Sequence, residues 1–362
     1  MRVQIAEATA FQNFDGRRCV FAEASQRLFE LNDTAMNVLA AMDRPVALPD
    51  LYESIAADLP GGRDALDQLL VDWSGCGLIE LQASSSESDP DDATARQLGS
   101  PKATARIYCS GEDCVWFAPY AHLPEAEDGG FGAFGEVFEN LGLVRIEGAT
   151  SRIVPRALLA ATFRFHLVEA LLARNSAVAL HCAVLVREGA ATVVMGPPGT
   201  GKSTMALFAA QAGFAIACDD IAFLDTGGRG VAPLPLPLTL KEGSWNLTKA
   251  AGFDIDCAQA VRRQDDIDVL YLPIPNSPIT GPIPVRAMVK LERGDHDGAE
   301  LAPWSATQCL EHLCSEALSP SGKASVETFR TMLGMVESAE TLVLRYGEAQ
   351  VAASVLESHV AR

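Results

Sequence analysis

The chain lacks any apolar run that approaches the ~20 residues needed to span a membrane as a helix. Basic residues are scarce: 28 Lys and Arg stand against 47 Asp and Glu, which gives a formal net charge of −19. Because nucleic acids and anionic membrane surfaces attract basic proteins, this balance argues against either as a partner. The N-terminus has no long apolar stretch behind basic residues, so we expect no signal peptide.

The cysteines lack the spacing of a metal site or a disulfide framework. Nine are present, none in a CxxC pair, and no cluster of four nitrogen or sulfur ligands indicates zinc. Cys109 and Cys114 are close enough in sequence to be neighbours across a hairpin. The odd number and the absence of a framework favour free thiols in a reducing compartment, and we expect a cytoplasmic protein.

The domain organisation follows from length and from one break in composition. With 362 residues, 48% of them hydrophobic, the chain has the size of two or three globular domains. SSSESDPDDATARQLGSP, at 84–101, is rich in Ser, Asp and Pro and has no apolar periodicity. We therefore predict a small domain over residues 1–83, a linker over 84–101 and a larger domain over 102–362.

The small domain combines helical and strand patterns. It predicts three helices together with strands around Val3–Ala6, Arg18–Ala22 and Leu78–Leu81. Asn32 or Asp33 can cap the first helix, and Pro49 suits the first turn of the second. Strands followed by three helices and a last strand are typical of a winged-helix-like α+β domain.

Three segments of the small domain, LNDTAMNVL, LYESIAADL and LLVDWSGCGLIEL, resemble the PqqD-like domain, also called the RiPP recognition element. The resemblance covers about residues 13–82. It implies that these residues bind the leader of a ribosomally synthesised peptide, which is added as an extra strand beside the sheet. Two alternatives remain: a winged helix that only packs on the larger domain or dimerises, and a DNA-binding domain, which the many acidic residues disfavour.

The first part of the larger domain has less distinct patterns. ARIYC and CVWFAPY predict two strands separated by a SGED turn, and the segment that follows, up to residue 154, is looser. PRALLAATFRFHLVEALLARN, at 155–175, is apolar almost all round and predicts a buried helix.

GPPGTGKS, at 196–203, fits the phosphate-binding loop G-x-x-x-x-G-K-[ST] at every fixed position. An apolar strand precedes it and a helix follows it, which is the context that the motif requires. Lys202 can reach the β- and γ-phosphates, and the Ser203 hydroxyl can bind Mg²⁺. We therefore predict ATP and Mg²⁺ as cofactors, held by Gly196, Gly199, Thr200, Gly201, Lys202, Ser203 and Thr204.

A pair of aspartates, Asp219 and Asp220, comes unusually soon after this loop. Asp220 follows Ser203 by only seventeen residues, at the end of the strand FAIACDD. Ligands lie at the carboxyl ends of strands in open α/β sheets, so one carboxylate can hold Mg²⁺ and another can take a proton from an acceptor hydroxyl. The alternative is that one aspartate only caps a turn. His181, in the apolar strand before the loop, would by itself be a core residue.

Together, His181, the loop at 196–203 and Cys218–Asp219–Asp220 resemble the catalytic core of HPr kinase/phosphorylase and the HPr kinase-related proteins. The resemblance covers about residues 150–345 and is strongest over 178–225. It implies the α/β phosphate-loop core shared with ATP-using phosphoenolpyruvate carboxykinases, and phosphoryl transfer from ATP to a serine hydroxyl. In that reading Asp219, Asp220 and His181 are catalytic, and Ser203 and Asp220 bind the metal.

PLPLPLTLKEGSWNLT, at 233–248, resembles a segment of the HPr kinase-related subgroup. Lys241 would be a second cation near the phosphates and therefore catalytic. Glu242 could be a metal ligand, or half of a solvated Lys–Glu pair. The glycine-rich block through which HPr kinase acts on HPr is absent from the sequence, which puts HPr itself in doubt as the substrate.

The sequence therefore predicts an ATP-dependent kinase with a peptide substrate, which docks through residues 13–82, and with neither nucleic acid nor membrane as a partner. A homo-oligomer is possible, as in HPr kinase relatives. The alternatives are a kinase of another protein or of a small molecule, with the first domain as a scaffold, and a regulator that hydrolyses ATP without phosphorylating a partner.

Overall fold

A computed structural model describes residues 1–82, 95–110, 113–175, 177–225, 230–256, 258–263, 265–275, 279, 281–318 and 324–360. The fold is a mixed α/β one with several sheets. It divides into two compact units: Met1–Ala95 with Ile107–Trp116 and Phe131–Leu167, and Arg96–Arg106 with Phe117–Gly130 and Val168–Arg362. This division differs from the predicted domains, whose boundaries stay a prediction. Most of the predicted linker, residues 83–94, lies outside the described residues.

The N-terminal part of the first unit contains the three predicted helices and the three predicted strands, together with three strands that were not predicted. Its elements are β1 Arg2–Ile5, β2 Thr9–Phe14, β3 Arg17–Ala22, β4 Arg27–Glu30, α1 Asp33–Ala41, β5 Val46–Ala47, α2 Leu48–Ile55, α3 Gly62–Gly75 and β6 Ile79–Gln82. They form two three-stranded antiparallel sheets, in the orders β5-β1-β6 and β2-β3-β4. The winged-helix assignment and the likeness to the PqqD-like domain stay predictions.

Local sequence explains these helices. Asn32 caps α1, because its side-chain oxygen accepts a hydrogen bond from the Ala35 amide at 2.8 Å. Pro49 lies in the first turn of α2, where its missing N–H costs no hydrogen bond. Leu66 and Leu70, four residues apart on α3, are fully buried, as the helical period requires.

The next elements are β7 Arg96–Gly99, β8 Thr104–Ser110, β9 Phe131–Phe138, β10 Leu141–Ile146, β11 Thr150–Pro155 and α4 Leu159–Arg174. β9, β10 and β11 form an antiparallel meander in the segment whose sequence pattern was loose. The strand predicted for CVWFAPY is wrong, since Val115–Tyr120 is a 3-10 helix. Trp116, Phe117 and Tyr120 are buried there at a spacing that suits a helix, not a strand.

Cys109 and Cys114 form a disulfide, so the expectation of free thiols is wrong for this pair. Their Cα atoms lie 5.9 Å apart, within the reach of such a bond. An odd cysteine count describes the whole set and does not exclude one local pair. The other cysteines that the structure describes are free, namely Cys19, Cys76, Cys182, Cys218, Cys309 and Cys314. Cys257 lies outside the described residues.

The second unit contains the predicted phosphate-binding loop. Its further elements are β12 Ala179–His181, β13 Ala183–Arg187, β14 Ala190–Met195, α5 Lys202–Gln211, β15 Ala215–Cys218, β16 Ile221–Leu224, β17 Gly230–Pro233, β18 Leu238–Lys241, α6 Trp245–Ala250, β19 Ala260–Arg262, β20 Asp268–Leu272, β21 Ile283–Arg293, β22 Ala299–Pro303, α7 Ala306–Glu316, β23 Ala317–Leu318, α8 Val326–Ser338, β24 Glu340–Tyr346 and α9 Ala349–Val360. Within the described residues, no helix combines the length and the apolarity that crossing a membrane requires.

A ten-stranded mixed sheet organises this unit. Its order is β15-β13-β14-β21-β17-β16-β12-β23, and β24 pairs with β21 and β22. β14, β21 and β24 are parallel, so their carboxyl ends meet at one edge, beside the loop that follows β14. Apolar side chains of α5 and α9 pack into one core, and those of α7 and α8 into another.

Two stretches of chain change partners close to that edge. After β15 the chain passes through Asp219 and Asp220 into β16, which pairs with β12 and β17 instead of β13. After β12 it passes through Cys182 into β13, which pairs with β14 and β15. The Cys182 amide donates to the Asp220 carbonyl at 3.1 Å, so the two changes of partner are joined.

Candidate functional site

The loop between β14 and α5 has a backbone shape that depends on glycine. Gly196, Gly199 and Gly201 have φ values of +150°, +90° and +89°, which residues with side chains rarely adopt. At Gly201 an added Cβ would also lie 3.0 Å from the Tyr346 hydroxyl. α5 begins at Lys202, and its first amides have no acceptor within the helix. The loop therefore presents donors and a positive helix end to an anion.

Hydrogen bonds hold this loop in place. The Thr200 hydroxyl donates to the Pro197 carbonyl at 2.8 Å, inside the loop. The Tyr346 hydroxyl, at the end of β24, donates to the Thr200 carbonyl at 2.6 Å. Burial raises the pKa of Tyr346, so its hydroxyl keeps the proton that it donates. The loop is thus fixed to a strand two places away in the sheet.

The side chain of Lys202 lies inside the curve of the phosphate-binding loop. This residue is 7% exposed, and its ammonium donates to the Gly196 carbonyl at 2.7 Å. Burial lowers the pKa of this ammonium, and the carboxylates of Glu316 and Asp220 oppose that effect. A buried cation at this point can attract an anionic group bound on the loop.

Asp219 and Asp220 lie in the bend between β15 and β16, and their side chains have different surroundings. Asp219 is 3% exposed, and its carboxylate accepts a hydrogen bond from the Thr239 amide at 3.0 Å. Asp220 is one-third exposed, and its carboxylate lies 3.5 Å from Nε2 of His181. The first aspartate therefore joins two parts of the fold, whereas the second is partly exposed beside an imidazole.

His181 lies between two carboxylates. Its Nε2 faces Asp220, and its Nδ1 lies 4.0 Å from the carboxylate of Glu316. Burial lowers the pKa of His181, and the charge of Lys202 lowers it further, whereas both carboxylates raise it. A neutral imidazole with a lowered pKa can accept a proton near neutral pH.

Glu316 is a site residue that the sequence analysis missed. It ends α7, and its charge acts on Lys202 and on His181. His312, one turn earlier on the same helix, also has its pKa lowered, mainly by burial. The segment CLEHLCSEAL carries no motif, so no sequence signal could have placed these side chains beside the loop.

Lys241 and Glu242 differ in their relation to this cluster. Lys241 ends β18 and is exposed, and its charge lowers the pKa of both His181 and Lys202, so it lies within electrostatic reach of the loop. Glu242 begins a 3-10 turn, is exposed, and has no contact with the cluster among the described residues. The position of Glu242 agrees with the solvated alternative.

No family model matches the chain, and no curated protein matches it. Among solved structures, the HPr(Ser) kinase/phosphatase from Coxiella burnetii is similar, with 11% sequence identity over 51% of this chain and 93% of that chain and a TM-score of 0.24. A TM-score this low carries neither fold nor function from one protein to the other.

The predicted magnesium ligands fit the ion by their chemistry. Ser203 lies in the first turn of α5, partly exposed, and Asp220 supplies a partly exposed carboxylate. The described residues contain no cluster of three or more His, Cys, Asp or Glu that could hold a metal. Mg²⁺ in nucleotide sites is commonly bound by one or two protein oxygens together with phosphates, so a hydroxyl and a carboxylate suit it.

Proposed function

We propose that the chain is an ATP-dependent phosphotransferase that phosphorylates a serine hydroxyl of a ribosomally synthesised peptide. The observation that carries this proposal is the meeting of Lys202, Asp220 and His181 at the mouth of a glycine-shaped loop. An anion-binding loop, a buried cation and a carboxylate–imidazole pair can together bind phosphates and accept a proton, which is what phosphoryl transfer to a hydroxyl uses.

Each group has one task in this proposal. When bound, ATP with Mg²⁺ supplies the phosphoryl group and part of the positive charge that offsets the negative charge of the transfer. Lys202 and the loop amides hold the phosphates, Lys241 adds a second positive charge, and Ser203 and Asp220 hold the metal. The acceptor's proton passes to the neutral imidazole of His181, whose Nε2 lies beside the Asp220 carboxylate.

The two aspartates are proposed to have unequal roles. Asp220 is the one that can reach an acceptor or a metal, since it is partly exposed and faces His181. Asp219 is buried against the Thr239 amide, which supports a positioning role that fixes the direction of its neighbour. Asp220 is thus the stronger candidate for direct contact with the reacting groups.

The proposed acceptor rests on the N-terminal sequence pattern. Strand β2 lies at an edge of its sheet and is largely exposed, with Phe14 at 74% and Phe11 at 42%. An edge strand with unpaired backbone groups can take an added peptide strand, and exposed aromatic side chains can contact it. These features support peptide docking on the N-terminal segment, although most of β2 precedes the predicted range of residues 13–82.

Incubation of the purified chain with γ-labelled ATP and candidate peptides tests the proposal. We expect label on a peptide serine. Label on another protein or on a small molecule would instead identify the first domain as a scaffold, and release of phosphate alone would identify an ATP-hydrolysing regulator.

The variant Asp220→Asn removes the charge of the carboxylate with little change in volume. We expect it to abolish transfer while ATP still binds, as measured by calorimetry. Asp265→Asn is the matched control, because that aspartate forms an exposed ion pair with Arg263 and should leave transfer unchanged. Transfer that persists in Asp220→Asn and also in Asp219→Asn would refute the mechanism.

A further inference from the structure

A cavity opens at the same edge of the large sheet as the phosphate-binding loop. It has a volume of about 460 Å³ and is lined by Arg293, Gly294, Asp295, His296, Asp297 and Gly347. This volume falls within the usual range of small-ligand pockets. We propose that this cavity receives the nucleoside part, ribose and purine, of the nucleotide whose phosphates lie on the loop. The inference rests on the proposed nucleotide-dependent function.

The sheet register places the cavity beside the loop. Met195, the last residue of β14, is level with Lys290 of β21, and Lys290 is level with Val343 of β24. Arg293 and Tyr346 are therefore paired residues just beyond the level at which the loop begins. Ligands of α/β sheets lie outside these carboxyl ends, so one ligand can occupy both places.

A direct contact links the cavity wall to the loop. Tyr346 precedes Gly347 of the cavity wall, and its hydroxyl donates to the Thr200 carbonyl in the loop. Its backbone carbonyl accepts from the Gly294 amide at 3.0 Å, which fixes the opposite wall. Arg293 lies close enough to Tyr346 that its charge lowers the pKa of the phenol. The walls of the cavity are thus fixed to the residue that holds the loop.

The cavity is separate from the place where the acidic groups lie. Its lining comes from the turn after β21 and from Gly347 after β24, and it contains none of Lys202, Asp220 and His181. A nucleoside can therefore occupy the cavity while the reacting end of the polyphosphate lies beside Lys202 and Asp220.

The lining residues suit a ribose and a purine. The carboxylates of Asp295 and Asp297 can accept hydrogen bonds from ribose hydroxyls, and the guanidinium of Arg293 can stack on a purine ring. Gly347 lets the backbone of His296 approach closely, because a Cβ at Gly347 would lie 2.5 Å from the His296 carbonyl oxygen. The segment around His296 is held close to Gly347 and therefore forms a fixed wall of the cavity.

Two variants, Asp297→Asn and Arg293→Ala, test the inference by calorimetry on the full chain with Mg²⁺. Each is titrated with ATP and with inorganic tripolyphosphate, which has the phosphates but no nucleoside. We expect each variant to weaken ATP binding about tenfold, the effect of losing one charge-assisted contact, and to leave tripolyphosphate binding within about twofold. Arg330→Ala, at an exposed position on α8, is the control and should change neither ligand.

Asp297→Asn separates a direct contact from a general charge effect. Loss of a negative charge near the loop would by itself strengthen the binding of both anions, so weaker ATP binding with unchanged tripolyphosphate binding supports the nucleoside site. Equal changes for both ligands, or no change for either, would overturn it. A chain that binds ATP in the expected pattern but phosphorylates nothing keeps the nucleoside site and refutes the phosphotransferase. A chain that binds neither ligand refutes both.

Discussion

The contact between Gly201 and Tyr346 gives a prediction whose size can be worked out from the structure. An alanine at Gly201 must adopt φ near +89°, which costs about 1–2 kcal/mol for a residue with a side chain. Alanine also lowers the conformational entropy of the unfolded chain, which offsets the cost of the positive φ by about 0.4–1 kcal/mol. A net destabilisation of about 1 kcal/mol remains. The new Cβ would also lie 3.0 Å from the Tyr346 hydroxyl, which must move and weaken its bond to Thr200. Loss of that bond adds about 1 kcal/mol, so Gly201→Ala should cost about 2 kcal/mol in total.

Gly213→Ala is the matched control. Gly213 has nearly the same φ, +91°, and a Cβ there meets nothing within 4 Å, so this variant should lose only about 1 kcal/mol. Urea denaturation followed by circular dichroism measures both. In a Tyr346→Phe background, where the hydroxyl is gone, Gly201→Ala should cost only about 1 kcal/mol, a coupling of about 1 kcal/mol between the two sites. Equal costs of Gly201→Ala in both backgrounds would refute the reasoning.

Three further predictions concern the charged cluster. Glu316→Gln removes a carboxylate that raises the pKa of His181, so the titration of His181, followed by NMR, should move to lower pH. Glu340→Gln, on a distant strand, is the control and should leave the His181 titration unchanged. Asp219→Asn disturbs a buried hydrogen bond, so it should lower the free energy of unfolding, measured in urea, by about 1–3 kcal/mol. Asp220→Asn should change the free energy of unfolding by less than about 0.5 kcal/mol. Equal losses in the two variants would contradict the unequal roles of the aspartates. Histidines whose pKa is lowered by burial bind fewer protons in the folded than in the unfolded chain, so the free energy of unfolding should fall as the pH drops through and below about 6.5, and a flat profile would contradict this. They are His122, His181 and His312.

The loop and the aspartates could be located from the sequence because their determinants are local. Glycines with positive φ, a preceding apolar strand and a following helix all occur within one short segment. Only one helix and one strand connect this loop to Asp219 and Asp220, so few arrangements of the chain are possible between them. The N-terminal ends of α1 and α2 were predictable for the same reason, since each depends on a single residue, the cap Asn32 or Pro49 in the first turn.

Features that depend on distant segments could not be predicted. Glu316 and Arg293 carry no motif, and only the pairing of β21 with β14 and the packing of α7 bring them close to the loop. The strand predicted for CVWFAPY failed because a short apolar run suits a buried strand and a buried helical turn equally well. Cys109 and Cys114 show the same limit, because composition describes a chain as a whole and not one pair of neighbours.

The catalytic candidates His181, Asp219 and Asp220 lie where two stretches of chain pass from one set of strand partners to another. Each is therefore adjacent to a hydrogen-bonded strand, and none lies on a long connecting segment. Side chains that adjoin hydrogen-bonded strands keep nearly fixed distances from one another. This favours accurate alignment of the reacting groups but leaves the site little ability to adapt its shape. Under the proposed function, selectivity among acceptors comes from whatever delivers the hydroxyl to the site, which we propose is the N-terminal segment.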